Sequence, residues 1–167
     1  MSSIPVDNII NSLDLKVLYC DEQCLSIDIG TSDINRPGLQ LAGFYDYFAY
    51  DRIQVLGKVE MNYLEQLDPE IRDERLDRYF RYDIPCLIIA RNMEVPDYIL
   101  KYAKKYKRPL LLSGKETTSL INKLINYLDS ELAPKITRHG VLVDVYGTGI
   151  FLMGVSGIGK SETALEL

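Results

Sequence analysis

Residues 109–132, PLLLSGKETTSLINKLINYLDSEL, join a short apolar run to a long segment with helical spacing. The run at 109–112 is continuously apolar, which is typical of a strand buried on both faces. From Thr117 to Leu132 apolar side chains recur every three or four residues, as on a helix with one buried face. They are Leu120, Ile121, Leu124, Ile125, Leu128 and Leu132. A strand followed by an amphipathic helix predicts a helix packed on a sheet.

The same alternation continues toward the amino terminus. Residues 52–57 (RIQVLG) and 85–90 (PCLIIA) predict two more strands, with helical segments between them that reach Phe80. A further helix is predicted over 96–106, with its proline in the first turn. Strands that alternate with helices indicate an α/β fold, with helices layered around a mostly parallel or mixed sheet.

The first 38 residues give a weaker pattern. Residues 6–13 predict a short helix, and residues 15–19 (LKVLY) and 24–29 (CLSIDI) predict strands. Residues 29–38 (IGTSDINRPG) are rich in glycine, proline, aspartate and asparagine, so they predict turns and a loop.

A domain boundary is predicted near Ala133–Pro134, because the residue before a proline is pushed out of helical geometry. This divides the chain into an α/β domain, residues 1–133, and a second segment, residues 134–167, that begins with a linker. In the second segment, VLVDVYGTGIFLMG predicts two strands joined by a glycine-containing turn at 146–149.

The second of these strands leads directly into a G-x-x-x-x-G-K-[ST] pattern, which is the signature of a phosphate-binding loop. Its residues are Gly154, Val155, Ser156, Gly157, Ile158, Gly159, Lys160 and Ser161. Glycines let the backbone turn tightly and point successive amides at phosphate oxygens. Lys160 can reach the terminal phosphates, and the Ser161 hydroxyl can ligate magnesium. A helix that begins near Lys160 adds its positive end, so the motif predicts a site for ATP and Mg²⁺.

Composition excludes several other classes of protein. The formal net charge of −5 argues against a surface built for nucleic acid or anionic membranes. No apolar run reaches the roughly 18 residues that cross a bilayer, and the first residues, MSSIPVDNII, do not resemble a secretory signal. We therefore expect a cytoplasmic protein that binds neither nucleic acid nor membrane. Cys20, Cys24 and Cys86 follow no disulfide spacing, and reduced thiols are favoured over a zinc site with His139.

Residues 138–167, RHGVLVDVYGTGIFLMGVSGIGKSETALEL, closely resemble the start of the catalytic domain of the HPr kinase/phosphorylase family. The segments NRPGLQLAGFYDYF, RIQVLGKVEMNYL and IPCLIIARN are similar to the amino-terminal domain of that family, so the resemblance covers essentially the whole chain. This amino-terminal domain in turn resembles that of Mur ligases, which bind nucleotide sugars.

The resemblance implies an enzyme that transfers phosphate from ATP to a serine of HPr, the small phosphocarrier of the bacterial sugar phosphotransferase system. It also implies removal of that phosphate by inorganic phosphate, with release of pyrophosphate, in the control of carbon catabolite repression. HPr and further copies of the chain, in a hexamer, are the implied partners. Position by position, residues 154–161 are implied to bind the nucleotide, Ser161 to ligate Mg²⁺, and His139 and Lys160 to belong to the active site.

Other parts of the family's site are not among these 167 residues. They are the aspartate that acts as base and acid, the acidic second magnesium ligand, a later arginine and the segment that binds HPr. We therefore expect this chain alone not to transfer phosphate, because that reaction needs loop, metal, base and cation together. We also expect poor order from about residue 154, because the helix that follows is short and its apolar face, with Ala164, Leu165 and Leu167, lacks a covering sheet.

Several patterns leave more than one interpretation open. The arginines at 72, 75, 78 and 81 are three apart. They either bind a phosphorylated metabolite or the acidic surface of a partner, or they lie on a solvated helix face where Glu74 pairs with Arg78 and Asp77 with Arg81. The basic residues Lys101, Lys104, Lys105, Lys107 and Arg108 are expected to be solvated. Tyrosines 45, 47, 50, 79 and 82 are expected in a core or an interface.

Two functional alternatives also remain for the first domain. Asn35, Arg36, Pro37 and Gly38 form a loop that can hold a small molecule, although similarity to Mur ligases does not carry function by itself. Residues 1–133 as a whole are alternatively a regulatory, ligand-sensing or oligomerisation module without catalysis.

Overall fold

The structure is a computed structural model that describes residues 3–134 and 138–166. It divides into two compact units, Met1–Ala133 and Pro134–Leu167. Residues 135–137 of the predicted linker and Leu167 of the predicted apolar helix face lie outside the described residues. In the part of the chain that is described, no helix is long and apolar enough to cross a membrane.

The first unit contains seven strands and seven helices in its described residues. In chain order they are β1 (Ile4–Pro5), α1 (Val6–Leu13), β2 (Lys16–Tyr19), α2 (Glu22–Leu25), β3 (Asp28–Ile29), β4 (Ile34–Asn35), α3 (Gly38–Leu41), β5 (Ile53–Leu56), α4 (Lys58–Gln66), α5 (Pro69–Phe80), β6 (Leu87–Ile89), α6 (Asp97–Lys105), β7 (Leu110–Leu112) and α7 (Thr117–Leu132).

Five of these strands form one mixed sheet in the order β2-β7-β6-β5-β4. Strands β4, β5, β6 and β7 are parallel, β2 is antiparallel to β7, and β1 pairs with β3 in a separate antiparallel pair. The predicted α/β class with a mostly parallel or mixed sheet is confirmed. The predicted bounds of α1 and α7 match the structure.

Both faces of the sheet are buried at β6 and β7, which explains the uninterrupted apolar runs of these two strands. Ile53 and Val55 of β5 point into one core, and Leu56 points into the other. We call the core that receives α1 and α7 the α7-side core, and the core that receives α3 to α6 the α5-side core. Parallel neighbours that follow one another in sequence place their right-handed crossover helices on the same side. This leaves the opposite side to α1 and α7.

One polar side chain, Gln54 of β5, lies fully buried in the sheet. Its Nε2 donates to the carbonyl oxygens of Ala49 (3.0 Å) and Arg52 (2.7 Å). Its Oε1 accepts from Asn35 Nδ2 at 2.7 Å and from the Tyr79 hydroxyl at 3.4 Å. The amide therefore joins β4, the loop before β5 and α5, and every polar atom of Gln54 is satisfied, as burial requires.

Helices α5 and α6 are joined by ion pairs centred on Asp77. Its carboxylate accepts hydrogen bonds from Lys105 (2.5 Å), the Tyr106 hydroxyl (2.8 Å) and Arg81 (2.5 Å). These donors, Lys105 first, hold the pKa of Asp77 well below its ordinary value. The predicted pair between Asp77 and Arg81 is thus confirmed.

The other arginine and lysine predictions are only partly right. Arg72 lies over the ring of Tyr98 at 4.1 Å and Arg78 over the ring of Tyr45 at 4.3 Å, and in the described residues Glu74 makes no ion pair with Arg78. For Arg72 the solvated interpretation is wrong, because the side chain is half-buried against a ring distant in sequence, whereas Arg78 is exposed as predicted but lies against Tyr45 instead of pairing with Glu74. Three of the basic residues near α6, namely Lys101, Lys105 and Arg108, pair with acids of α5 or of the segment after it.

Two further predictions are wrong. Residues 24–29 are not a strand, because Asp21 caps a short helix by accepting from the Cys24 amide, and only Asp28–Ile29 is extended. The loop predicted over 29–38 contains β4, whose pairing with β5 is a tertiary contact. Of the two places predicted for Tyr47, the core is excluded, because the side chain is fully exposed and its φ of 58° places it in a turn.

The second unit contains β8 (Gly140–Val145), β9 (Thr148–Met153) and α8 (Lys160–Glu166) in its described residues. The predicted hairpin is confirmed. Its two turn residues, Tyr146 and Gly147, both have positive φ, which matches the twist of the flanking strands, and Asp144 accepts from the Gly147 amide at 2.8 Å. None of the described residues of this unit is buried, and Leu142 and Met153 are exposed.

Candidate nucleotide-binding site

The register of the hairpin brings the ends of its two strands together. Gly140 pairs with Met153, and Val145 pairs with Thr148 across the turn. His139 and Gly154 lie just outside the pair Gly140–Met153, so they face each other at the open end of the hairpin. Gly140 permits this close approach, because a Cβ there would lie 2.6 Å from the Leu152 carbonyl oxygen.

The loop after β9 uses its glycines for specific geometry. Gly157 and Gly159 have φ of 83° and 87°, values that favour glycine over other residues. At Gly154 a Cβ would lie 3.0 Å from Ile158 Cγ2, so the loop closes tightly on itself. This backbone path leads directly from the strand into α8, whose first residue is Lys160.

Lys160 folds back over the loop. Its Nζ donates to the carbonyl oxygens of Gly154 (2.8 Å) and Val155 (2.7 Å). Thr163, one turn further along α8, donates through both its amide (2.9 Å) and its hydroxyl (3.0 Å) to the Gly159 carbonyl oxygen. The ammonium group is thus held over the loop, and α8 is anchored to the last glycine of the motif.

These residues surround a cleft of about 860 Å³. It is lined by His139, Gly140, Gly154, Val155, Ser156, Gly157, Gly159, Lys160, Ser161 and Glu162. The structure therefore brings together all the predicted site residues except Ile158, whose side chain is exposed and does not line the cleft. Ile158 belongs to the loop through its backbone only.

The sequence analysis missed two residues that line the cleft, Gly140 and Glu162. Gly140 carries no chemistry, and only the strand register shows that its missing side chain makes room next to Gly154. Glu162 follows Ser161 in the motif, and its Oε2 lies 3.7 Å from the position of a Cβ on Gly159. Glu162 could have been predicted from its position directly after Ser161, the last residue of the motif.

The arrangement suits a polyphosphate with a divalent cation. Backbone amides of a glycine-rich turn, the start of α8 and the Lys160 ammonium group all favour negative charge at one place. The hydroxyl of Ser161 and the carboxylate of Glu162 are oxygen donors of the kind that Mg²⁺ prefers. In the described residues, the cleft included, no group of three or more His, Cys, Asp and Glu is placed to hold a metal ion.

Comparisons with known proteins find similarity to one family along nearly the whole chain. Residues 4–128 match the family model described as HPr Serine kinase N terminus, and residues 130–167 match the model of the HPr Serine kinase C-terminal domain. Similar curated relatives are HPr kinase/phosphorylases. That of Alkaliphilus metalliredigens is 58% identical over 167 residues, and that of Clostridium acetobutylicum is 52% identical over 164 residues. This chain covers 54% and 53% of those relatives, so it spans about half of their length.

A solved structure resembles the fold at low sequence identity. It contains the CBS and DRTGG domains of the regulatory region of Clostridium perfringens pyrophosphatase, in complex with the activator diadenosine tetraphosphate. The TM-score is 0.50 at 15% identity, over 72% of this chain and 45% of that one. At this identity the likeness concerns the fold alone.

Proposed function

Because this chain belongs to the HPr serine kinase family, we propose that it carries the nucleotide-binding loop of an enzyme that phosphorylates a serine of HPr with ATP. We propose that the same site removes this phosphate with inorganic phosphate and releases pyrophosphate. The observation that carries the proposal is the hairpin register, which sets His139 against the loop Gly154–Ser161 around one cleft.

In this proposal the residues of the cleft divide the work of phosphoryl transfer, which depends on positioning and charge neutralisation. The loop amides and Lys160 hold the phosphates of ATP, and the hydroxyl of Ser161 ligates Mg²⁺. Mg²⁺, when bound, neutralises charge on the transferred group. His139, at the open end of the hairpin, places its imidazole beside the phosphates.

Nucleotide binding in this scheme requires Lys160 to change partners. Its ammonium group now bonds the carbonyl oxygens of Gly154 and Val155, and a phosphate oxygen offers a stronger, charged acceptor. When the lysine turns to the phosphate, those two carbonyl oxygens turn to water, since they lie in an exposed part of the loop. Until nucleotide binds, the two hydrogen bonds of Lys160 hold the loop in its curved form.

The proposal includes partners and location. HPr is the protein substrate, the assembly is a homohexamer, and the protein works in the cytoplasm. The first unit has its own two-sided core and none of the cleft residues, which favours a regulatory or assembly role for it beside the catalytic unit. These 167 residues alone are expected to bind nucleotide without transferring phosphate.

The decisive experiment is a chimera that continues residues 1–167 with the remaining part of the Alkaliphilus relative. We expect Mg²⁺- and ATP-dependent phosphorylation of HPr, and release of pyrophosphate from seryl-phosphorylated HPr in the presence of phosphate. Lys160→Ala in the chimera should abolish both reactions, and Lys123→Ala, an exposed lysine of α7, should affect neither. A well-folded chimera with neither activity refutes the proposed function.

A further inference from the structure

An acidic side chain lies in the cleft that is proposed to hold the phosphates. Glu162 is the third residue of α8, directly after Ser161. Side chains of a helix lean toward its first residue, so Glu162 points back over the loop. Its Oε2 lies 3.7 Å from the position of a Cβ on Gly159, and the residue lines the cleft. A carboxylate therefore shares the space into which phosphate oxygens would enter.

No cation of the protein offsets this carboxylate. Within residues 3–134 and 138–166, the side chain of Glu162 makes no ion pair and no hydrogen bond. Lys160 is the only lysine or arginine among the described residues that line the cleft, and its Nζ donates to the carbonyl oxygens of Gly154 and Val155 instead. Residues two apart on a helix do not face each other, which explains why Lys160 and Glu162 do not pair.

The same helix position has a different role elsewhere in the chain. Glu60 is the third residue of α4, and its Oε2 accepts from the amide of Gly57, the residue before the helix, at 2.9 Å. This contact caps the helix start. Gly159 precedes α8 in the same way, but in the part of the chain that is described the Glu162 carboxylate accepts from no amide. Capping thus explains Glu60 and does not explain Glu162, whose carboxylate is available to a ligand.

An unpaired carboxylate opposes the binding of a bare phosphate chain. The loop amides and Lys160 attract the phosphates, whereas the Glu162 carboxylate repels them because both are negative. At a separation of a few ångströms near a protein surface, the repulsion between two unit charges weakens binding by on the order of tenfold or more. Glu162 therefore lowers the affinity of the cleft for a nucleotide that carries no cation.

A divalent cation on the phosphates reverses the sign of this effect. Mg²⁺ is held in proteins by one or two carboxylates together with the phosphate oxygens of the ligand. The described residues offer no group of three acids, cysteines or histidines for a metal ion, so we expect the cation to bind together with the nucleotide and not alone. The carboxylate that repels a bare phosphate chain then attracts its magnesium complex.

We propose that Glu162 makes nucleotide binding in this cleft conditional on a divalent cation, so that the cleft selects the magnesium complex over the free nucleotide. The inference rests on the proposed function, because it concerns the same loop and the same ligand. Glu162 is in this sense a specificity-determining residue. Its carboxylate weakens the binding of the free nucleotide and strengthens that of the complex, and it takes no part in the transfer itself.

The test is the equilibrium binding of a fluorescent ATP analogue to the whole 167-residue chain, followed by fluorescence anisotropy in magnesium chloride and in EDTA. Both solutions have the same ionic strength, because salt screens exposed charges. We expect the wild type to bind the analogue at least about tenfold more tightly with Mg²⁺ than with EDTA. Glu162→Gln keeps the shape of the side chain and removes its charge. In EDTA this variant should bind about tenfold more tightly than the wild type, so the ratio between the two conditions shrinks.

Glu166→Gln is the matched control. Glu166 lies four residues after Glu162, on the same side of α8 but one turn further from the loop, and it does not line the cleft. Removing its charge should leave both dissociation constants within about twofold of the wild type, since screening weakens the charge over this distance. Both acids are exposed, so neither substitution should affect folding, and far-ultraviolet circular dichroism checks this.

The results separate this inference from the proposed function. A ratio that shrinks in Glu162→Gln and persists in Glu166→Gln supports the inference. An unchanged ratio in Glu162→Gln, or a wild type that binds equally well in EDTA, overturns the inference while nucleotide binding stands. Equal effects of the two substitutions also overturn it, because the response then reflects net charge. If the wild type binds the analogue in neither solution, the proposed function fails and this inference fails with it.

Discussion

Gln54→Leu removes the polar centre of the first unit while keeping a side chain of similar size. The three hydrogen bonds of 3.0 Å or less that its amide makes, to Ala49, Arg52 and Asn35, are lost at a fully buried position. Each contributes about 1 kcal/mol net, and the partners are left inside the protein, so we expect a loss of roughly 3 kcal/mol in the free energy of unfolding. The Tyr79 hydroxyl, at 3.4 Å, adds little.

The measurement is urea unfolding followed by far-ultraviolet circular dichroism, since most helices lie in the first unit. Gln66→Leu makes the same change at an exposed position of α4 and should stay within about 0.5 kcal/mol of the wild type. If Gln54→Leu is equally harmless, the buried amide contributes nothing net and the reasoning is refuted.

Gln54→Glu sharpens the test through pH. It keeps the acceptor oxygens, loses both donors and places a carboxyl group where no solvent reaches. Burial disfavours the charged form, so this carboxyl has a raised pKa in the folded state. A raised pKa gives stability that is present at low pH and lost as the pH rises. Gln54→Glu should therefore be less stable than Gln54→Leu at pH 7 and should regain stability toward pH 5, and a flat profile contradicts this.

Three further predictions follow from other contacts. Gly140→Ala should displace the end of the hairpin and weaken the binding of a fluorescent ATP analogue, because the new Cβ would lie 2.6 Å from the Leu152 carbonyl oxygen. Gly149→Ala is the control and should bind the analogue normally, because the atom nearest to its Cβ, Leu142 Cδ1, is 4.0 Å away. Asp77→Asn should lower the free energy of unfolding by about 1–2 kcal/mol at pH 7. Because the pKa of Asp77 is lowered in the folded state, its stabilising contribution is present above the ordinary aspartate pKa and is lost as the pH falls. The difference between variant and wild type in urea unfolding should therefore be smaller at pH 3 than at pH 7. Leu124→Ala in the α7-side core should cost about 2–4 kcal/mol by calorimetry, and Asn126→Ala on the exposed face of α7 less than about 0.5.

The sequence predicted those parts of the fold that depend on local pattern. Strands β5, β6 and β7 are short, mostly apolar runs, and helix α7 has apolar residues at helical spacing. These segments are buried in the two cores, so the sequence pattern and the observed burial agree. The prediction for residues 24–38 was wrong because hydrogen bonds and strand pairing override the local preference there. Asp21 caps a helix where the apolar residues favour a strand, and β4 exists only through its pairing with β5.

The candidate site divides in the same way. The glycine-rich loop has a fixed spacing, so the sequence predicts it with its residues, and the resemblance adds His139. The placement of His139 opposite Gly154 arises from strand register, which follows from a turn with two positive φ values. The aromatic rings over Arg72 and Arg78 come from 26 and 33 residues away in sequence, beyond the reach of any local rule.

The placement of α1 and α7 also constrains how the first unit is made on the ribosome. Together they supply most of the helical side chains of the α7-side core, although one helix lies near the start of the unit and the other at its end. During synthesis that face of the sheet stays open until residue 132 has left the exit tunnel. A nascent chain that ends before Thr117 exposes the part of this apolar sheet surface that α7 covers, and exposed apolar surface is what chaperones bind. We therefore expect the α7-side core to be completed only after α7 has been synthesised.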